Sequence, residues 1–320
     1  TRSACASAAR FEVAPTTVTP RRRSDCHSSI SVVASRALET SSARSSSASR
    51  RGDADPRSAR KSRLRRRTSP IVSGPGPVSG GRARLTNRDW DFDQDRLARL
   101  TDADHVRLIN DLTAMGYATP VLAGDGLATL RSAPAGRPRN GQSLVVNLGT
   151  GFNVCAVRSL PGGAIAALEA EEGHTSLPAN IYLRLLDAVG PEAMAGFIST
   201  EEAFAGRGLS RLHAALTGTM PVPGEQIDRA ADAGDPVANA TYDLFTDLVG
   251  LLCRELALRF MPLEGMFLAG SVGRSISDRM DRFEASFLAE PYMRHIPENT
   301  PIFLIRDDMA ALHGCLAALS

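Results

Sequence analysis

From about residue 74 to the end of the chain, apolar runs alternate with helical periodicities. HVRLIND (105–111) reads as a buried strand, and LTAMGYA after it as a helix. A turn-rich stretch, GPGPVSGG, precedes a short strand near 83–86. The runs 143–148 and 152–158 predict two strands around a glycine-rich turn. SLPANIYLRLLDAVG, with Ile181, Leu183, Leu185 and Leu186 apolar, predicts a helix. STEEAFAGRGLSRLHAALTG predicts two short helices separated by Gly206 and Gly208. Asp235-Pro236 opens the longest helix, a cap residue followed by proline at the first helical position. That helix reaches about Phe260, with Val237, Tyr242, Phe245, Val249, Leu252 and Leu256 near helical spacing. GMFLAGSV (265–272) predicts a strand ending in a small-residue turn, and SISDRMDRFEASFLA a helix capped by Ser277. TPIFLI is then a strand and DMAALHGCLAAL a closing helix. This alternation predicts an α/β class with sheets covered by helices.

Charge separates the chain into two unlike parts. Residues 1–70 carry 15 Arg and one Lys against five acids, a net +11 hidden inside an overall +2. The remaining 21 basic and 30 acidic residues leave 71–320 at −9. The basic segment also holds 16 Ser and shows no strand or helical period, a composition unable to bury enough apolar surface, so 1–73 is expected to be disordered. A nucleic-acid-binding tail and an organelle transit peptide are two readings of it. A third is favoured: with one Lys and 36 Arg, the chain has the signature of a GC-rich gene, and a frameshift or wrong start upstream of Gly74 yields such text. The chain has no apolar run of membrane-spanning length, and its five scattered cysteines show no CxxC spacing. No membrane or nucleic-acid partner, zinc site or disulfide framework is expected, and a cytoplasmic protein with reduced thiols is.

Five stretches carry candidate chemistry, each with a plainer alternative. In LINDLTA (108–114), Asn110 and Asp111 end a strand, where α/β proteins bind ligands. Asp111 either accepts a proton from a substrate hydroxyl or only caps the next helix. In EAEEGHTSLP (169–178), Glu171, Glu172 and His174 suit vicinal hydroxyls, or form a solvated acidic turn. STEEAF (199–204) is an ordinary helix start. The turn Gly149-Thr150-Gly151 is a hairpin with glycines where positive φ is needed, or a phosphate loop. It lacks the lysine of a Walker loop and is not GxGxxG. In FLAGSVG (267–273), small residues either admit a flat ring or make a tight connection.

The order of these stretches resembles the bacterial glucokinase family over residues 74–320. LTNRDW, the Asn-Asp pair and Glu-x-x-His about sixty residues later are the most telling. Related sugar kinases of the ROK group add a cysteine-rich zinc motif, whereas this chain has no Cys between Cys155 and Cys253. The resemblance implies an actin-like, ribonuclease H-like, two-domain α/β sugar kinase that uses ATP and Mg²⁺ to phosphorylate glucose at its 6-hydroxyl, as a homodimer. It implies Asp111 as general base, with Asn110, Glu171, His174 and Glu201 on the sugar. Gly149, Thr150, Gly151 and Gly270 would meet the nucleotide. Ser271 and Asn153 stand where the family commonly has glycine, changes expected to weaken nucleotide contacts.

The family's opening DxGGT turn has no counterpart in residues 1–75, where Asp53-Ala54-Asp55 is the nearest acidic text. The smaller domain, 74–111 plus 301–320, is therefore expected to be incomplete beside a larger domain, 112–300. Little turnover is expected, which leaves an inactive sugar-binding pseudokinase as the alternative to a working kinase.

Overall fold

The computed structural model describes residues 31–33, 71–74, 78–84, 91–104 and 106–319. LTNRDW, His105, the Asp53–Asp55 text, Cys5 and Cys26 lie outside the described residues. The chain divides into two compact units, Thr1–Leu108 with Leu319 and Ile109–Ala318 with Ser320.

The first unit contains two small sheets. β1 (Ser31–Val33) runs antiparallel to β2 (Ile71–Gly74), with Ser31 opposite Ser73 and Val33 opposite Ile71. β3 (Val78–Ser79) and β4 (Arg82–Arg84) form a hairpin closed by Gly80 and Gly81, at φ +56° and +74°. Positive φ at both loop residues matches the strand twist, which explains two glycines in a row. β5 (Asp91–Asp93) pairs with β4, and Asp93 then caps α1 (Gln94–Thr101), its carboxylate accepting from the Arg96 amide at 2.8 Å. Val72, Val106 and Leu108 form a small buried cluster, against which Phe92 and Leu97 pack. β6 (Arg107–Asn110) completes a three-stranded sheet of order β1-β2-β6, and the division between the units falls within it. So β2 is paired on both edges, and a strand lies at 31–33, inside the segment read as structureless. Three residues are too few for a period of two to declare itself.

The second unit is a three-layer α/β/α arrangement. It opens with α2 (Asp111–Ala118) and β7 (Leu127–Arg131). β8 (Gln142–Leu148), β9 (Phe152–Ser159) and β10 (Ile165–Glu169) follow as an antiparallel meander. Then come α3 (Ala179–Met194), broken at Gly190-Pro191, α4 (Thr200–Phe204), α5 (Gly206–Thr217), α6 (Gly224–Asp232) and α7 (Pro236–Phe260). β11 (Gly265–Ala269), α8 (Ser271–Ser275), α9 (Met280–Phe287), α10 (His295–Glu298), β12 (Ile302–Ile305) and α11 (Ala310–Ala317) complete it. The sheet order is β10-β9-β8-β11-β12-β7, with β8, β11 and β12 parallel.

Alternation along the strands assigns each face to its helices. Leu144, Val146, Leu148, Met266, Leu268, Ile302 and Leu304 enter the main core with α3, α5, α7 and α9. Val145, Cys155, Val157, Phe267, Ala269 and Ile305 face the other way, against Leu112 and Ala118 of α2 and Ala310 of α11. Both faces are covered, so the strands read as unbroken apolar runs.

Two local expectations are corrected. The break between the short helices falls at Ala205, and Gly206 and Gly208 belong to α5. The Gly208 Cα lies so near the Ala203 carbonyl that a Cβ would stand 2.2 Å from it, so packing against the preceding helix selects that glycine. Ser277 caps nothing, because its hydroxyl donates to the Arg274 carbonyl at 2.7 Å and a 3₁₀ turn precedes α9. A larger difference concerns 301–320. β12 lies inside the six-stranded sheet and α11 packs on α2, so residues 301–318 group with the second unit. Periodicity marks a strand and a helix but carries no record of which sheet receives them.

The cap at Asp235 is as expected: its carboxylate accepts from the Ala238 amide at 2.7 Å, with Pro236 first in α7. Asp235→Ala is expected to cost about 1 kcal/mol, read as a lower midpoint in urea with an unchanged slope. Among the described residues no helix is long and apolar enough to cross a membrane.

Candidate functional site

The end of β6 and the start of α2 place the Asn-Asp pair. Asn110 is the helix cap: its Oδ1 accepts from the Leu112 amide at 2.9 Å. Asp111 is the first helical residue, and its Oδ1 accepts from the same amide at 2.8 Å. The capping role considered for Asp111 thus falls to its neighbour. Burial pushes the Asp111 carboxyl above its ordinary range, against the backbone hydrogen bond that lowers it. No cation pairs with it among the described residues. A carboxylate kept basic and unpaired has the character of a proton acceptor.

Two residues on, the Thr113 hydroxyl donates to Glu169 at 3.4 Å. Glu169 ends β10, and the chain turns at once through Glu171 and a 3₁₀ turn, Glu172–His174. The three polar residues of that turn separate. The Glu171 and His174 side chains are 61% and 74% exposed, with Nε2 and Oε2 3.9 Å apart. Glu172 is buried and pairs with Arg259. Glu172 therefore anchors the turn from inside, while its neighbours are free to meet a ligand.

Glu201 joins this loop to the glycine turn. It follows the Ser199 cap, whose hydroxyl accepts from the Glu202 amide at 3.3 Å, so the plain helix-start reading holds. Yet its Oε2 also accepts from the Phe152 amide at 3.1 Å, immediately after the turn. A Cβ at Gly151 would stand 2.9 Å from that oxygen, and one at Gly173 would stand 3.2 Å from the Glu201 Cβ and 2.3 Å from the Phe152 carbonyl. Positive φ does not explain these glycines, because neither Gly149 nor Gly151 has it. The hairpin geometry itself is real, with Leu148 opposite Phe152 and the Gly149 amide donating to the Gly151 carbonyl at 3.0 Å.

Gly149 and Thr150 line an open cavity of about 300 Å³ with Gly206, Arg207, Asp228 and Ser271. β8 and β11 run parallel with Ala269 opposite Asn147, so the turn and Gly270 emerge side by side at the carboxyl ends of adjacent strands. Gly270 has φ +92°, and a Cβ there would meet the Leu148 carbonyl at 2.3 Å, so only glycine fits. Tyr242 donates to the Asp228 carboxylate in this cavity, and the Arg279 guanidinium lies 5.1 Å from the Tyr242 ring. The cavity is lined by backbone, hydroxyl and guanidinium groups together with the Glu225 and Asp228 carboxylates. No group of three or more metal-ligating side chains exists among the described residues.

Arg207 was not singled out from sequence. Its guanidinium donates to Glu201, to Glu202 and, at 3.3 Å, to the Thr150 carbonyl, while Arg211 also pairs with Glu202 at 2.9 Å. Two acids followed by two arginines within one helix pair is the only local signal, and it reads as a surface ion network. Asn153 also acts elsewhere than expected: its side chain bonds the Glu171 loop at Ala170, Glu171 and Glu172.

The glucokinase family model matches residues 52–320, starting upstream of Gly74. The glucokinase of Cupriavidus metallidurans is 31% identical over 255 residues, which is 76% of this chain and 74% of that protein. A crystal structure of a glucokinase from an Antarctic psychrotroph superposes with a TM-score of 0.68 at 26% identity, covering 78% of this chain and 79% of that one. The Balamuthia mandrillaris glucokinase, solved in complex with glucose, shares the fold with a TM-score of 0.61 at 20% identity, covering 78% and 77%.

Proposed function

The chain belongs to the glucokinase family of ATP-dependent hexose kinases, and from that premise we propose that it moves the γ-phosphate of ATP to the 6-hydroxyl of glucose with Asp111 as general base. Glu201 is the observation that carries this reading. One carboxylate accepts from the amide after the glycine turn and crowds a glycine in the Glu171–His174 loop. One sugar-binding candidate thus lies against both the glycine turn and the Glu171–His174 loop in the second unit.

In this reading Asn110, Glu171, His174 and Glu201 hold the sugar hydroxyls. Carboxylate oxygens accept from hydroxyl protons, and the imidazole serves as donor or acceptor. Gly149, Thr150, Gly151 and Gly270 let backbone amides approach the nucleotide without Cβ interference. Asp111 draws the proton from the attacking hydroxyl, and its raised basicity suits the task. Mg²⁺, when bound with ATP, would supply charge neutralisation on the phosphates. The homodimer belongs to this reading on the family resemblance alone.

The alternative reading is an inactive protein that binds the sugar without transferring phosphate. Calorimetric titration with glucose, with and without ATP, together with a coupled glucose 6-phosphate assay on the purified chain, separates the two. Glucose binding with ATP-dependent turnover is expected. Robust turnover removes the second reading, and loss of both binding and turnover removes the proposal.

A further inference from the structure

We infer that Asn153 is a positioning residue for the sugar-binding loop, and that its side chain sets glucose affinity rather than nucleotide affinity. The inference rests on the assignment of Glu171 and His174 to the sugar. Asn153 stands one residue into β9, two residues beyond the glycine turn, where a side chain could serve either neighbour. Its hydrogen bonds decide between them. Nδ2 donates to the Ala170 carbonyl at 2.7 Å and to Glu171 Oε2 at 3.3 Å. Oδ1 accepts from the Glu172 amide at 3.0 Å, and from the Val154 amide at 2.8 Å. One amide group thus binds three consecutive residues of the loop.

The loop needs such a clasp. The Glu171 and His174 side chains are too exposed for packing to orient them. Their placement depends on the backbone of 170–175, which is held at three points. Arg259 pairs with Glu172 from inside. At the far end the Thr200 amide donates to the Thr175 carbonyl at 3.0 Å, and the two threonine hydroxyls lie 3.0 Å apart. Asn153 holds the near end. Of the three anchors it alone touches the Glu171 carboxylate. Both contacts of that carboxylate, Asn153 and His174, fall on Oε2. The amide therefore fixes the carboxylate rotation and leaves Oε1 to a ligand hydroxyl.

The test is Asn153→Gly, with Asn153→Asp as companion, in the full chain. Glucose and ATP dissociation constants are measured by calorimetry, and exchange of the Glu172 amide hydrogen by NMR. Losing two or three net hydrogen bonds predicts about tenfold weaker glucose binding for Asn153→Gly. ATP binding is expected to stay within about twofold, and Glu172 amide exchange to accelerate. Asn153→Asp keeps the acceptor for Glu172 but sets a second carboxylate beside Glu171, so glucose binding falls further. Unchanged glucose affinity, or equal weakening of glucose and ATP as in general unfolding, overturns the inference. If the parent chain binds no glucose, the functional reading fails and takes the sugar part of this inference with it. Unaltered Glu172 amide exchange in Asn153→Gly overturns the clasp even then.

Discussion

Asp111→Asn is expected to lower turnover by about 10²–10⁴-fold while raising the melting temperature. The two effects share one cause. Burial holds the native carboxyl above its ordinary range, and no cation among the described residues offsets the cost. A carboxyl whose folded pKa exceeds its unfolded value keeps its proton longer in the native state. Stability therefore falls as pH rises from the unfolded pKa, about 3.9, through the folded one, and the ionised group is a standing cost at neutral pH. Asparagine removes the charge and still accepts from the Leu112 amide. The gain in melting temperature should appear at pH 7 and vanish near pH 3, where the unfolded aspartic acid is also protonated. Turnover of the parent should fall on the acid side as the same carboxyl takes up its proton. Glucose affinity should change little, because the variant removes a base and not a hydroxyl contact. A lower melting temperature at pH 7 would show that the carboxylate stabilises the fold and is not held there at a cost.

The second large effect is expected at Gly314. α11 crosses α2 so closely that a Cβ at Gly314 would stand 1.6 Å from the Ala114 carbonyl oxygen and 3.1 Å from the Ala118 amide. On its other side α2 meets the sheet through Gly116, where a Cβ would approach Cys155 Sγ at 2.9 Å and Val157 at 3.2 Å. α2 is thus gripped between helix and sheet by two residues without side chains, and it cannot retreat from an added methyl. Gly314→Ala should destabilise by about 2–3 kcal/mol, since overpacking costs exceed the roughly 1 kcal/mol of helix propensity that alanine returns. Denaturant unfolding measures this directly. The variant should also expose Cys315, which is fully buried, to thiol reagents in the native state. A neutral or stabilised variant would mean that the two helices slide apart freely.

What the sequence made legible was local. The β8–β9 hairpin, the Asp235 cap and the α7 stripe each depend on residues a few positions apart, and all three appear as expected. The site was legible only in part. Asn110, Asp111 and Glu201 were picked out, but the exchange of capping role between Asn110 and Asp111 depends on backbone angles at the strand end. The contact of Glu201 with the Phe152 amide beside Gly151 joins residues about fifty positions apart. Asn153 looked like a defect in a phosphate turn until its partners in the Ala170–Glu172 segment were known. The strand at Ser31–Val33 is visible only through its pairing with Ile71–Ser73. In each case the missing information is a contact between distant parts of the chain, which no window of neighbouring residues contains.

The crossing of α2 and α11 also bears on the order in which the second unit assembles. α2 begins that unit's sequence and α11 ends it. β7, near the start, pairs in the six-stranded sheet only with β12, near the end. During synthesis the β8–β10 meander closes with local contacts, while β7 and the outer face of α2 wait for the last stretch of chain. Until β12 and α11 emerge, the β7 edge is unpaired and α2 is uncovered, a state open to aggregation and proteolysis. The close packing of Gly314 on Ala114 is then among the last features to form, so a chain stopped short of α11 would leave that face of α2 open.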